Sequence, residues 1–388
     1  MLLVDLTHTS HTPANTGIQR LARSLFGALS RQTPTTPVCL DPYARAWRPL
    51  DSTENAIASG QTPVGKHRGS KWTTTQKLRG WAARAFGSPP LLPEYDGFVC
   101  PELFSPAVAR SLPGLFARTT GPRVAFFFDA IPLTHPEYTP AKTVARFPGF
   151  MQELLQFDGV AAISQTSADA LTGYWHWLGI RDHPEVTVVP LGADIAAEAS
   201  PIPDSEMPQM LCVSSIEGRK NHLALLEAAE RLWREGLRFE LRLVGLPRPE
   251  TAQAALAAID RLKAEGHPLR FDGVLDEPAL RQAWRECSFS VYPSLTEGFG
   301  LPVIESLARG RPCICAASGA TGELVAGGGC IGVQPADAGS FATAIRSLLT
   351  SETELRRLGA EAGRRPVPSW DDCATRLRQW MSTLPRRP

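Results

Sequence analysis

Tyr292-Pro293-Ser294-Leu295-Thr296-Glu297-Gly298-Phe299-Gly300-Leu301-Pro302-Val303-Ile304-Glu305 is the stretch on which the fold turns. Upstream of it, Cys287-Ser288-Phe289-Ser290-Val291 is short and apolar and reads as a buried strand. Its downstream part, Leu301-Pro302-Val303-Ile304-Glu305-Ser306-Leu307-Ala308, reads as a helix, with Pro302 in the first turn where a missing N–H costs nothing. Strand, glycine-rich loop and helix start form an arrangement that binds phosphate or sugar oxygens. Backbone N–H groups point out of the helix end, and the dipole there favours negative charge. Gly298 and Gly300 let a ligand approach the backbone closely. Two acids accompany them, Glu297 in the loop and Glu305 eight positions later in the helix. An ordinary βα connection also needs glycines, so the rest of the chain has to decide.

A second such loop lies upstream. Gln209-Met210-Leu211-Cys212-Val213-Ser214-Ser215-Ile216 reads as a strand, Glu217-Gly218-Arg219-Lys220-Asn221-His222 as a loop, and 223–234 as a helix. Two cations at a helix N-terminus stand where the dipole repels them, and a bound anion explains their presence. The same strand–loop–helix rhythm runs through both halves. Leu2-Leu3-Val4-Asp5-Leu6 precedes a polar loop and a helix with apolar spacing at Ile18, Leu21, Leu25 and Phe26. Arg123-Val124-Ala125-Phe126-Phe127-Phe128-Asp129 suits a central parallel strand delivering Asp129 to its C-terminal edge. Strands are also expected at 157–164, 186–194, 238–245, 269–275 and 311–316, helices at 252–265 and 280–286, and a last helix capped by Ser369. The acidic, proline-bearing stretch 198–208 reads as a linker. This alternation predicts two doubly wound α/β domains with ligands at the C-terminal strand edges.

Composition excludes other classes. The chain has 388 residues, 43% hydrophobic and 20% charged, with a formal net charge of +1. That length suits two cores, and that charge gives no reason to expect nucleic acid as a partner. The eight cysteines show no C-x-x-C or zinc-type spacing and mostly lie in apolar segments, as small buried hydrophobes in a reducing compartment do. The N-terminus meets an acid too early for a signal peptide. No apolar run reaches the roughly 18–20 residues of a membrane span. A cytoplasmic protein is expected, with scope for peripheral contact on the inner face of a membrane. His8 and His11 read as plain polar loop residues.

The region 40–90 differs in kind. It is rich in Pro, Thr, Ser and Gly, carries Trp47, Trp72 and Trp81, and sets Arg45, Arg48, Lys66, Arg68, Lys71, Lys77, Arg79 and Arg84 against Asp41, Asp51 and Glu54, a net +5. One reading is a long surface excursion with solvated charges. The other is a basic, aromatic surface that touches anionic lipid or an anionic acceptor.

Taken together, these segments resemble retaining glycosyltransferases of family 4. The E-x7-E pair Glu297 and Glu305 carries the resemblance, with the R-K-N loop Arg219-Lys220-Asn221 and the T-G-I-x-R run Thr16-Gly17-Ile18-Gln19-Arg20. Asp129-Ala130-Ile131-Pro132-Leu133, Ile163-Ser164-Gln165-Thr166-Ser167, Val188-Val189-Pro190-Leu191-Gly192-Ala193-Asp194 and Phe271-Asp272-Gly273-Val274 extend it to most of the chain outside 40–90. Two positions depart from the family pattern: Phe128 stands where relatives carry a donor-contacting His, and Ser215 where many carry an Arg. Whether His135 compensates for the first is open.

The resemblance implies the GT-B fold, two Rossmann-like domains facing across a cleft. Residues 1–197 would be the acceptor-binding domain, 209–368 the nucleotide-sugar domain, and 369–388 a helix crossing back to the first. It implies that Lys220 and Arg219 bind the donor diphosphate, and that Glu305 holds the ribose hydroxyls as a bidentate acceptor. Glu297 and the N–H groups of Gly298, Phe299, Gly300 and Leu301 would grip the donor sugar. Gly273 and Val274 would pack on the base through the main chain, Gly17 and Arg20 would line the site, and Asp129 would orient sugar or acceptor. The catalytic set is then Asp129, Lys220 and Glu297.

There is no D-x-D triplet. A diphosphate neutralised by Lys220, Arg219 and a helix end, with no metal or other cofactor, fits that absence. The expected donor is a UDP-, GDP- or dTDP-sugar and the acceptor a glycan or lipid-linked glycan. The T-G-I-x-R start and the E-G-R-K-N-H loop most resemble bacterial mannosyl- and rhamnosyltransferases of surface polysaccharide synthesis. The alternative is a catalytically silent nucleotide- or sugar-binding protein of the same fold, which Phe128 and Ser215 favour.

Overall fold

The structure, a computed structural model, describes residues 1–14, 16–61, 69–87, 92, 94–193 and 200–386. Of the segments above, Asn15 in the polar loop after Leu6, Lys66 and Arg68, Asp194, and residues 198–199 of the linker lie outside the described residues. The chain forms two compact units, Met1–Gly192 with Pro368–Pro388, and Ala193–Val367.

The first unit is built on strands β1 (Leu2–Asp5), β2 (Thr35–Asp41), β3 (Ala46–Pro49), β4 (Gly97–Cys100), β5 (Arg123–Phe127), β6 (Gly159–Ala162) and β7 (Glu185–Val188). They lie in the order β3-β2-β1-β4-β5-β6-β7. Only the edge pair β2–β3 is antiparallel. Every residue of β1, β4, β5 and β6 is buried, as continuous apolar runs require when both sheet faces are covered. The chain leaves β1 for β2 on one side and reaches β4 on the other, so the loops after β1 and β4 diverge from a topological switch point.

The second unit contains β8 (Gln209–Val213), β9 (Glu240–Val244), β10 (Leu269–Gly273), β11 (Phe289–Tyr292), β12 (Cys313–Ala316) and β13 (Cys330–Val333). The order is β10-β9-β8-β11-β12-β13 and every pairing is parallel. Here the switch point lies between β8 and β11, whose following loops are the two glycine- and charge-bearing loops read from the sequence. Its core joins β8, β9 and β11 to the helices His222–Arg234, Gln253–Ala264 and Ala338–Thr350 through Leu225, Leu226, Phe239, Ile259, Phe289 and Phe341. Both units are therefore the Rossmann-like α/β type that the alternation predicts.

The last helix, Trp370–Met381, is capped by Ser369, whose side chain accepts from Asp372 N. It packs on the helix Gly17–Gln32 of the first unit, where Arg31 pairs with Asp371 at 2.7 Å. Trp380 Nε1 donates to Glu185 on β7 at 2.7 Å.

The region 40–90 is not simply a solvated excursion. It completes β2, adds β3, and contributes the helices Ser52–Ala58 and Thr74–Ala85. Arg48 and Glu54 are buried and bonded to one another (Nη2 to Oε1, 2.6 Å), with Asp41 also on Arg48. His11, expected as an ordinary loop residue, is buried too. Its Nε2 lies 2.9 Å from Glu54, and its ring stacks on Trp72 at 3.7 Å. Sequence spacing could not reveal this cluster, because each partner comes from a different element. Among the described residues no helix is long and apolar enough to cross a membrane.

Arg123, at the start of β5, is buried and bound by Asp158 from its own N–H, Nε and Nη2 at 2.5–2.8 Å. Removing one partner of such a pair leaves an uncompensated buried charge. Asp158→Ala is expected to lose about 3–5 kcal/mol of stability in urea unfolding. A loss below about 1 kcal/mol, the range of exposed pairs, would show that solvent reaches Arg123.

Candidate active site at the switch point of the C-terminal sheet

After β8 the chain makes a short turn, Gly218–Lys220, and then Asn221 takes a left-handed conformation (φ 54°). Asn is among the few residues that adopt it readily, and here its Nδ2 donates to Ala336 O at 2.9 Å. The reversal starts the helix His222–Arg234 and turns Lys220 inward, where it is buried. After β11, Leu295 N donates to Arg219 O at 3.0 Å. Arg219 Nη1 in turn donates to Thr296 O at 2.7 Å. The two loops are thus tied together by one backbone bond and one from the Arg219 side chain to a carbonyl, before any carboxylate is involved.

Glu297 then falls between the two cations. Lys220 Nζ lies 2.5 Å from its Oε1, and Arg219 Nη1 2.8 Å from its Oε2. Lys220 Nζ also donates to Tyr292 OH at 2.6 Å. Glu217 sits behind them, pairing with Arg219 at 3.1 Å and with Arg248 at 3.0 Å. Arg219, Lys220 and Arg248 thus face Glu297 and Glu217, which leaves this cluster one positive charge in excess.

Burial by itself raises the Glu297 carboxyl, but Lys220 and Arg219 outweigh it and hold the group at about 2. Burial lowers the Lys220 ammonium, and although Glu297 opposes this the net direction is down. Burial pushes the Tyr292 phenol well above its ordinary range, with the Glu297 charge adding to it. His222, which opens the helix, is driven down to about 3 by burial and then by Lys220, so it is neutral. Its Nε2 lies 3.1 Å from Ser214 Oγ.

The helix Leu301–Ala308 begins beyond Glu297. Gly300 caps it at φ 114°, and a Cβ there would lie 3.1 Å from Leu324 Cδ1. Both conformation and space therefore call for glycine. Pro302 occupies the first turn as read from the sequence, Phe299 packs against the apolar cluster containing Val303 and Leu307, and Glu305 is buried one turn in. Ser306 Oγ accepts from Ser290 Oγ at 2.7 Å and donates to Arg311 O at 3.0 Å, which fixes this helix to β11 and to the start of β12.

The structure brings Arg219, Lys220 and Glu297 into direct contact and sets Gly298, Phe299, Gly300, Leu301 and Glu305 on the loop and helix that follow. Gly273 and Val274 stand at the end of β10, two strands from β8. Gly273 has φ 66° and accepts from Gly245 N at 2.7 Å, while the Val274 side chain is exposed. Gly17 and Asp129 belong to the other unit. Gly17 opens the helix Gly17–Gln32 and is exposed. Asp129 follows β5, half-buried, its Oδ1 accepting from Ile131 N at 3.0 Å. Phe128 is buried, and its carbonyl accepts from Ser167 Oγ at 2.7 Å.

Several structural partners are not singled out by the sequence as site residues. Tyr292 and Glu217 lie inside the two quoted stretches without an assigned role, Arg248 lies outside them, and all three join the site through the switch point. In the first unit, Glu102 accepts from the backbone of His8 and Thr9 at 2.9 and 2.7 Å, and Arg23 donates to Thr12 O and Ala14 O at 2.8 and 2.7 Å. These contacts hold the loop after β1. Among the described residues, no group of three or more His, Cys, Asp or Glu is placed to hold a metal ion.

Two Rossmann-like units in one chain define the GT-B fold class, and comparison with solved structures agrees. HepE of Anabaena in complex with UDP-glucose superposes with a TM-score of 0.69 over 99% of both chains at 16% identity. Sucrose-phosphate synthase from Thermosynechococcus elongatus gives 0.64 over 98% of both chains at 17% identity. Residues 207–351, within the second unit, match the family model of glycosyl transferases group 1. Among curated proteins, the serotype-specific mannosyltransferase WbdA of Escherichia coli is 26% identical over 81% of this chain, which spans 38% of that protein's length. The O-antigen chain mannosyltransferase B of Escherichia coli is 29% identical over 42% of this chain and 43% of its own length.

The Glu297 carboxyl lies below its ordinary value near 4.5. Its contribution to stability is therefore present above that value and is lost as pH falls toward about 2. The difference in melting temperature between the native protein and Glu297→Gln is expected to be largest near neutral pH and to shrink below about pH 4.5. A difference that stays constant across that range would show that Glu297 carries no such charge coupling.

Proposed function

We propose that the protein is a glycosyltransferase that moves a hexose or deoxyhexose from a nucleoside diphosphate sugar to a glycan or lipid-linked acceptor, with retention of configuration. The observation that carries this is the convergence of Lys220 and Arg219 on Glu297 at the switch point, with a positive charge in excess beside a helix N-terminus. That is where an anionic leaving group is best stabilised. The match of residues 207–351 and the bound UDP-glucose of HepE support a nucleotide-sugar donor. The mannosyltransferase relatives favour mannose, and the sequence resemblance adds rhamnose.

In this reading the donor diphosphate meets Lys220 and Arg219. Lys220 has three N–H bonds. Glu297 and Tyr292 take two, and the third serves a diphosphate oxygen. The acceptor hydroxyl attacks the anomeric carbon on the face from which the diphosphate leaves. The new C–O bond forms as the bond to phosphate breaks, and the hydroxyl proton passes to the departing phosphate oxygen. Lys220 and Arg219 neutralise the charge that develops there, and no metal is assigned to the step. Glu305 holds the ribose diol, and Glu297 with the N–H groups of 298–301 holds the sugar. Gly273 and Val274 line the base, Gly17 lies on the donor side, and Asp129 orients sugar or acceptor.

A thermal-shift series with UDP, GDP, ADP and dTDP and their sugar conjugates, with and without EDTA, tests the site. One nucleotide is expected to raise the melting temperature regardless of EDTA, with the shift lost in Lys220→Ala and Glu305→Ala. Sugar release from the matching donor is expected to fall by on the order of 10²–10³ in Lys220→Ala. Stabilisation by a nucleotide without any sugar release would overturn the transferase reading, and no stabilisation by any of them would overturn the donor site.

A further inference from the structure

The helix Thr74–Ala85 is inside out. Its inward face is formed by Gln76 and Gly80, both buried. Gln76 Nε2 donates to Glu54 Oε1 at 2.9 Å. Gly80 lies so close to the turn after β2 that a Cβ would meet Tyr43 Cβ at 2.7 Å and Asp41 Oδ1 at 2.8 Å. Leu78 points the other way, and Trp81 lies on the flank, edge-on to Tyr43 at 5.5 Å and still half in solvent. Leu78 is 57% exposed, Trp81 53%, and Phe86, just past the helix end, 83%. A helix that only completed the domain would turn Leu78 and Trp81 inward and its small or polar residues outward.

Leu78 and Trp81 are three positions apart and share one face, with exposed Ala82 and Ala85 beside them. Along the sequence of this segment the charge has one sign. Residues 69–87 contain Lys71, Lys77, Arg79 and Arg84 and no acid. Lys77 and Arg84 flank Trp81 on the helix surface, and Arg79, on the opposite flank, pairs with Asp51 at 2.8 Å.

We propose that this helix is a docking surface for an anionic lipid bilayer, in which Leu78, Trp81 and Phe86 enter the interface and Lys71, Lys77 and Arg84 meet the headgroups. The charge selects an anionic partner, and the apolar face selects one with a hydrocarbon layer beneath its charge. Trp is suited to the headgroup level, and Lys and Arg lay their stems along apolar surface while their charges stay in water. A soluble polyanion uses the cations and leaves Leu78 and Phe86 in water. The inference stands apart from the donor chemistry and is tested separately.

The test is cosedimentation of the full chain with phosphatidylcholine vesicles, with and without about 30 mol% phosphatidylglycerol. The protein is expected to sediment with the anionic vesicles, to remain in solution with the neutral ones, and to be released by about 0.5 M salt. Leu78→Ser/Trp81→Ser and Lys77→Glu/Arg84→Glu are each expected to weaken partitioning by on the order of tenfold or more. Leu78, Trp81 and Arg84 are exposed and Lys77 is half-buried, with Lys77 and Trp81 each touching Tyr43, so circular dichroism and the nucleotide-induced shift are expected to be unchanged and the melting temperature to fall only slightly. Failure of the native protein to sediment with anionic vesicles overturns the proposal, and so does native-like sedimentation of both double variants. A dimer of the native protein that the Leu78→Ser/Trp81→Ser variant dissociates, without vesicle binding, assigns the face to a second copy instead. Vesicle binding without any nucleotide shift leaves this inference standing and removes the donor reading.

Discussion

The pairing of Lys220 and Arg219 with Glu297 is the constraint around which the switch point of the second unit is arranged. Withdrawing two cations and a carboxylate from water is expensive, and the mutual attraction of such groups only partly offsets it. A buried ion cluster is therefore a poor way to stabilise a domain and a reasonable way to prepare a site. Here it forms where β8 and β11 send their loops apart, and the bonds between 219 and 295–296 hold the loops together independently of the carboxylate. Arg248 adds a further cation behind Glu217.

The surroundings keep that charge where it is. His222 is neutral because it is buried next to Lys220, so it adds no further cation. Tyr292 keeps its proton and can satisfy Lys220 only as a neutral acceptor. Ser290, Ser306 and the Arg311 carbonyl fix the helix Leu301–Ala308 against the sheet, which holds its N-terminal N–H groups in one place. The first unit holds its own glycine loop by different means: Glu102 and Arg23 bind the loop backbone, while Arg48 and Glu54 fix His11. Each unit's loop is also held by a group far away in sequence, Glu102 in the first and Arg219 on Thr296 in the second.

That distance separates what is legible in the sequence from what is not. The parallel strands are legible because β5 and β11 are short apolar runs ending in loops with glycines or acids, and the helix starts because Pro302 and Ser369 are strong local signals. Lys220 and Arg219 are legible because cations at a helix N-terminus oppose the dipole unless an anion joins them, and Glu297 and Glu305 because they bracket a glycine turn and the helix it opens. The contact of Tyr292 with Lys220 and the place of Arg248 are not, since nothing in their neighbourhood says that β11 lies beside β8. The buried Arg48–Glu54–His11 cluster is also hidden, because a composition rich in Pro, Ser and Thr masks its two short helices. The inverted helix Thr74–Ala85 shows the converse. Its apolar spacing is ordinary, and only the structure shows that the apolar face is the outer one.

Calorimetric titration of a nucleoside diphosphate against the corresponding monophosphate is the decisive measurement. If Lys220 and Arg219 receive the diphosphate, removing the outer phosphate should weaken binding by about tenfold or more, since a charge-assisted hydrogen bond contributes about 1.5–3 kcal/mol. In Lys220→Ala both ligands should bind more weakly and the gap between them should narrow, with Arg219 left as the remaining cation. Equal affinity for both in the native protein would place the phosphates elsewhere and contradict the role given to this ion cluster.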